Sequence, residues 1–166
     1  AGGTGYQGRS VAGLAVRRRE DPAGTLMGLI RESIAYEAAH PGSGGESVVA
    51  TSMDEPDIVR LMQWEHTNFC SDGALDGAHP RGFGSFTRVL GRYVREQRVM
   101  PLEQAIRQMT SLSAAHVGLR RRGTIAPGNY ADLVLFDPAT VIDNATPKAP
   151  HAVSTGIVRV WVNGAT

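Results

Sequence analysis

The sequence has little cysteine: Cys70 is the single one among 166 residues. One thiol excludes an internal disulfide framework and fits a reducing compartment, which we expect to be the cytoplasm. The sequence has no run of about 18 apolar residues, so no transmembrane helix is predicted. The formal net charge is only +1. Nucleic acid and anionic membranes are therefore not expected as partners.

The sequence also lacks the local patterns of several common catalytic sites. None of its five histidines stands in an H-x-H or H-x-x-x-H pair, so no two-histidine metal site is encoded locally. A G-x-S-x-G serine motif is absent as well. We expect His40 and His151 to lie in exposed loops, His116 to pack against a helix, and Cys70 to be inert in an apolar strand.

Helical and extended segments alternate through most of the chain. Apolar residues three and four positions apart predict helices over residues 22–40, 55–65, 86–97 and 101–119. Ser85 is expected to cap the third of these. Short apolar runs predict strands over residues 47–51 and 67–71. This alternation favours parallel strands joined by crossover helices.

The pattern changes after Gly118. Turn residues at 127–129 separate two extended runs, and "GIVRVWVNG" alternates apolar and polar side chains with period two. We therefore divide the chain into a helix–strand part, residues 1–118, and a β-rich tail, residues 119–166.

The stretch "SDGALDGAHPRGFG" contains the candidate site. Asp72 follows the predicted strand 67–71, and catalytic groups gather at the carboxyl ends of parallel strands. Arg81, nine positions later, has a planar fork suited to binding a carboxylate. His79 stands between them, and the glycines allow a backbone to approach a ligand closely.

Other interpretations of these residues stay open at this point. Asp72 fits a turn-capping aspartate equally well, and Arg81 fits an ordinary surface arginine. Asp72 and Asp76 resemble a carboxylate pair for glycoside hydrolysis, but nothing in the sequence fixes their separation.

The region from "SDGALDGAHPRGFGSFTRVLGRYVREQ" to "RRGTIAPGNYADLVLFDPATVIDNAT" and "GIVRVWVNG" resembles the C-terminal part of N-acyl-D-amino-acid deacylases, or D-aminoacylases, of the amidohydrolase superfamily. The resemblance implies an α/β fold. Residues 1–118 would be the C-terminal portion of a metal-dependent (β/α)8 TIM-type barrel. Residues 119–166 would add strands to a small composite β-sandwich domain.

The resemblance also implies a role for each site residue. Asp72 would end the eighth barrel strand and transfer protons between the attacking water and the leaving amine, and it is a candidate metal ligand. Arg81 would bind the α-carboxylate of an N-acyl-D-amino acid, and His79 would belong to the same substrate-binding loop. Zinc would be the cofactor, since it lowers the pKa of its bound water to about 7.

The histidines and bridging residue that hold zinc in this superfamily would lie upstream of Ala1. We therefore expect the chain to be a fragment that alone neither binds zinc tightly nor deacylates a substrate. Exposed strand edges would favour self-association or pairing with the missing N-terminal part. Two alternatives stay open: a non-catalytic truncated barrel module for assembly or interaction, and an amidohydrolase for cyclic amides such as hydantoins or dihydroorotate.

Overall fold

A computed structural model describes residues 5, 6, 8–42, 50, 52–74, 76, 77 and 79–166. The chain divides into two compact units, residues 1–50 and 51–166. In the described ranges, every helix is too short or too polar to traverse a lipid bilayer. The predicted strand 47–51 falls almost entirely outside the described residues. The assignment of residues 119–166 to a separate sandwich domain stays a prediction.

The described residues of the first unit contain a pair of helices, α1 (Val11–Arg18) and α2 (Pro22–Ala39). The second agrees with the helix predicted over residues 22–40, whereas α1 was not predicted. Each begins at a polar cap: the Ser10 hydroxyl accepts the Gly13 N–H, and the Asp21 carboxylate accepts two N–H groups at the start of α2. These caps satisfy N–H groups that have no partner within a helix.

In its described residues the second unit has four α-helices and a π-helical segment. They are α3 (Glu55–Gln63), α4 (Arg81–Arg88), the π-helical continuation of α4 (Val89–Glu96), α5 (Leu102–Met109) and α6 (Ser111–His116). Its core is a cluster of Met62, Val89, Tyr93, Met100 and Ala105. Burying such apolar side chains is the main stabilising contribution to this helical part.

The tail forms an antiparallel pair of strands, β1 (Leu133–Phe136) and β2 (Ile157–Trp161). The period-two pattern thus predicted β2 correctly. Gly91 of the π-helical segment allows the tail to pack closely, since a Cβ there would lie 2.6 Å from the Val141 carbonyl oxygen. In the described part of the chain this antiparallel pair is the only sheet, so the predicted parallel strands are not observed there.

The strand predicted over residues 67–71 is wrong. These residues form no regular secondary structure, and the described residues place no strand beside them. The Phe69 N–H donates to the Gln108 carbonyl of α5 instead, at 3.3 Å. Cys70 is consequently exposed rather than buried in a sheet.

Two helix predictions also need correction. Ser85 does not cap a helix: it lies inside α4, where its hydroxyl donates to the Arg81 carbonyl at 2.9 Å. The helix predicted over residues 101–119 is interrupted at Thr110. The Thr110 hydroxyl donates to the Ile106 carbonyl at 2.6 Å, and side chains of this type compete with the helical backbone for hydrogen bonds.

Candidate active site

The structure brings Asp72 and Arg81 together. A guanidinium nitrogen of Arg81, Nη2, lies 3.0 Å from Asp72 Oδ2. The Arg81 side chain is 46% exposed and the Asp72 side chain 78% exposed, so solvent reaches both. Asp76 of the same loop is exposed too. Among the described residues the ion pair of Arg81 is with Asp72, and a carboxylate pair of Asp72 and Asp76 stays an untested alternative.

Two glycines explain how the ends of this loop meet. A Cβ on Gly73 would lie 2.4 Å from the Gly82 Cα, and a Cβ on Gly82 would lie 2.7 Å from the Ala74 carbonyl oxygen. The two backbone segments therefore touch directly, which only glycine permits. Asp72 itself has a φ of 46°, a left-handed conformation that aspartate tolerates better than most residues.

His79 fixes the first turn of α4. Pro80, at the cap position, makes no side-chain hydrogen bond there. The Arg81 N–H donates instead to His79 Nδ1 at 3.1 Å. This nitrogen must carry no proton to accept, so a neutral His79 has its proton on Nε2. His79 thus holds the backbone of Arg81, and a contact of His79 with substrate stays a prediction.

The middle of the loop is held by a residue from the tail. His151 Nε2 lies 2.9 Å from the Gly77 carbonyl oxygen, and the His151 ring lies 5.1 Å from that of Phe83 in α4. The sequence predicted only that His151 is exposed, which it is. Its partner stands 74 positions away, and no local pattern signals such a contact.

Predictions were also made for two further histidines, His40 and His116. His40 follows α2 and stacks on Tyr36, with ring centroids 4.2 Å apart. His116 is exposed at the end of α6, so the prediction that it packs against a helix is wrong.

The residues present do not fit a complete zinc site. Structural and catalytic zinc sites have three or four protein ligands. No group of three or more histidine, cysteine, aspartate or glutamate side chains is placed to hold a metal ion in the ranges that the structure describes. Asp72 is therefore a candidate ligand without companions among these residues.

The loop lies in a region of the chain that is similar to known proteins. The profile of the amidohydrolase family matches residues 66–166. An N-acyl-D-aspartate deacylase of Alcaligenes xylosoxydans xylosoxydans is 52% identical over 114 residues, which cover 68% of this chain and 23% of that protein. An N-acyl-D-glutamate deacylase of the same organism is 41% identical over 156 residues, covering 79% of this chain and 32% of that protein.

A solved structure agrees with these matches. It is the crystal structure of an N-acyl-D-glutamate deacylase from Bordetella bronchiseptica, complexed with zinc and a phosphonate inhibitor that mimics the tetrahedral intermediate. It matches with a TM-score of 0.76 and 42% identity over 95% of this chain and 31% of its own. The resemblance to deacylases is thus confirmed, and the chain spans about a quarter to a third of the length of the curated relatives it matches.

Proposed function

The chain belongs to the amidohydrolase family, and on that premise we propose that it supplies two active-site residues of an N-acyl-D-amino-acid deacylase. The reaction is amide hydrolysis. Water forms a new C–O bond at the carbonyl carbon, the C–N bond breaks, and a carboxylate and a free D-amino acid leave. The proposal depends on the contact between Asp72 and Arg81 inside the matched region.

Asp72 is the proton-transferring residue in this proposal. Its carboxylate is 78% exposed, so a water molecule and a substrate amide have access to it. A carboxylate within hydrogen-bond reach of the attacking water accepts a proton as the C–O bond forms. The same oxygen then returns that proton to the departing nitrogen, which leaves as an amine.

Arg81 is the residue that binds the substrate's α-carboxylate. A guanidinium has five N–H donors in a fixed plane, and the contact with Asp72 engages only one nitrogen of Arg81. Within the described part of the chain the other guanidinium donors of Arg81 have no protein partner, so they can bind a second carboxylate in the bidentate manner. Arg81 is also the first residue of α4, where the positive end of the helix dipole favours an anion. His79 supports this role by holding the Arg81 N–H.

Zinc would require ligands from outside the described residues. The Bordetella relative is complexed with zinc, whereas the described residues here offer Asp72 without the companions that a zinc site requires. We therefore infer that any catalytic zinc is held mainly by other parts of the complete protein. Weak zinc binding by these 166 residues alone stays a prediction.

A substrate panel tests the proposal. The complete protein is assayed with N-acetyl-D-aspartate, N-acetyl-D-glutamate, N-acetyl-D-methionine, their L-enantiomers, hydantoin and dihydroorotate. We expect release of free D-amino acids and little reaction of the L-compounds. If only the cyclic amides are hydrolysed, the deacylase proposal is wrong and the cyclic-amide hydrolase is favoured instead. No turnover by metal-loaded complete protein would favour a non-catalytic assembly module.

A further inference from the structure

We propose that His151 is a positioning residue for the site loop, which we define as the described residues 72–74, 76, 77 and 79–81. Its Nε2–H donates to the Gly77 carbonyl and holds the loop in the arrangement in which Asp72 meets Arg81. The proposal rests on the proposed function, because the consequence of this contact is expressed in substrate binding.

A segment of the tail places His151 over the loop. We call residues 143–155 the strap. Its first residue, Asp143, pairs with Arg88 of α4 at 2.9 Å, and the Asp143 side chain is only 8% exposed. Near its other end the Ser154 hydroxyl lies 2.6 Å from the Thr87 hydroxyl. The strap is therefore attached to α4 on both sides of His151.

The strap also contacts Phe83, in the first turn of α4. Ser154 Oγ donates to the Phe83 carbonyl at 3.1 Å, and the His151 and Phe83 rings lie 5.1 Å apart at a tilt of 45°. The ring of His151 is thus fixed by contacts other than its own hydrogen bond. A donor fixed in this way loses little side-chain entropy when it binds Gly77.

The direction of the hydrogen bond is set by chemistry. A backbone carbonyl only accepts, so Nε2 of His151 must carry the hydrogen. Both the imidazolium and the neutral Nε2–H tautomer meet this condition. The contact therefore needs a donor at this position rather than a titrating group, and a glutamine amide nitrogen supplies one.

The loop needs this support because its own contacts are weak. The ion pair between Asp72 and Arg81 is exposed, and exposed pairs contribute little to stability. Glycine-rich segments also lose much conformational entropy when they are ordered. Without His151, part of the substrate's binding energy would be spent on ordering the loop. The expected effect is a higher KM with nearly unchanged kcat.

Kinetics of the complete protein test this effect. His151→Leu removes the donor, and His151→Gln keeps one. His116→Leu is a matched control, because His116 is an exposed histidine at the end of α6. We expect His151→Leu to raise KM about three- to tenfold, the range given by one net hydrogen bond, with kcat within about twofold. We expect His151→Gln to recover most of the loss and His116→Leu to have no effect.

Hydrogen–deuterium exchange tests the same contact without any activity. The Gly77 N–H donates to the Ala74 carbonyl and the Arg81 N–H to His79, so loosening the loop exposes both amides to solvent. We expect faster uptake in peptides covering residues 73–81 of His151→Leu, slow uptake restored by His151→Gln, and wild-type uptake in His116→Leu. If the leucine variant does not fold, His151→Asn takes its place, since its shorter amide falls short of Gly77.

The two arms separate the two hypotheses. If the wild-type protein hydrolyses no N-acyl-D-amino acid, the proposed function fails. The positioning role of His151 is then tested by hydrogen–deuterium exchange alone. Unchanged uptake in the loop peptides of His151→Leu would overturn the positioning role. So would a fall in kcat with KM unchanged, or a glutamine variant as impaired as the leucine variant.

Discussion

Asp72 and Arg81 form an ion pair of 3.0 Å across a loop whose backbone ends touch at Gly73 and Gly82. Asp72 is a carboxylate that solvent reaches, and Arg81 is a cation for which the described residues offer this one ion pair. Amide hydrolysis of an anionic substrate needs these two functions close together. The pair therefore connects the local geometry to the proposed deacylase.

Asp72→Asn keeps the size of the side chain and removes its basicity. We expect kcat of the complete protein to fall by about 10²- to 10⁴-fold, because general base catalysis contributes on that order. Zinc content should be nearly kept, as measured by atomic emission on purified protein. Asp76→Asn, in the same loop, is the matched control and should leave kcat almost unchanged. Complete loss of zinc in Asp72→Asn would instead identify Asp72 mainly as a ligand.

Gly73→Ala places a Cβ 2.4 Å from the Gly82 Cα. Because both neighbours are backbone atoms, the loop must shift, and we expect the free energy of unfolding to fall by about 1–3 kcal/mol. Gly77→Ala is the control, since a Cβ there meets Ala74 at 3.4 Å or more, an ordinary contact. Urea unfolding curves of both variants measure the difference. Equal stability of the two would show that the close backbone approach is absent.

The tail sheet should lose stability in acid. The pKa of Asp132 is lowered from 3.8 by the Asn163 N–H, which donates to it at 2.8 Å, and by its hydrogen bond with Arg122. The pKa of Asp137 is lowered likewise, first by the Ala139 N–H and then by the Thr140 hydroxyl. A carboxylate with a lowered folded-state pKa stabilises the fold above its unfolded pKa, and that contribution is lost as pH falls through the folded value.

Chemical unfolding between about pH 6 and pH 2 measures this loss. We expect the stability of the wild-type chain to fall across this range and Asp132→Asn to show a shallower fall. Arg122→Ala should act in the same direction as Asp132→Asn, because it removes one of the two causes. An identical pH dependence in wild type and Asp132→Asn would contradict the assignment.

The candidate loop was predictable from the sequence, but the support around it was not. Glycines between an aspartate and an arginine predict a tight loop because glycine permits close backbone contact, as Gly73 and Gly82 show. Helix α2 and strand β2 were predictable because apolar periodicity is a local signal. The strand expected before Asp72 failed, since strand formation depends on a neighbouring strand and not on local sequence alone.

The contact of His151 with Gly77 shows the same limit. It joins positions 74 residues apart, and only the folded strap brings them together. The break at Thr110 was only partly predictable. A threonine inside a predicted helix is visible in the sequence, but the sequence does not show whether its hydroxyl will donate a hydrogen bond to a carbonyl of the helix backbone and interrupt the helix. Self-association of the chain through exposed strand edges stays a prediction. Exposed Val134, Val158 and Val160 on the sheet are consistent with it.

The most direct test compares two substrates that differ only in the α-carboxylate: the best N-acetyl-D-amino acid and its neutral carboxamide. Since bidentate charged hydrogen bonds are roughly twice as strong as neutral ones, we expect the wild-type complete protein to prefer the acid by about 10- to 100-fold in kcat/KM. Arg81→Ala should abolish that preference by slowing the acid alone, with Arg122→Ala as a matched arginine control. Equal losses on both substrates, or a preference that survives in Arg81→Ala, would contradict the assignment of Arg81 and with it the proposed site.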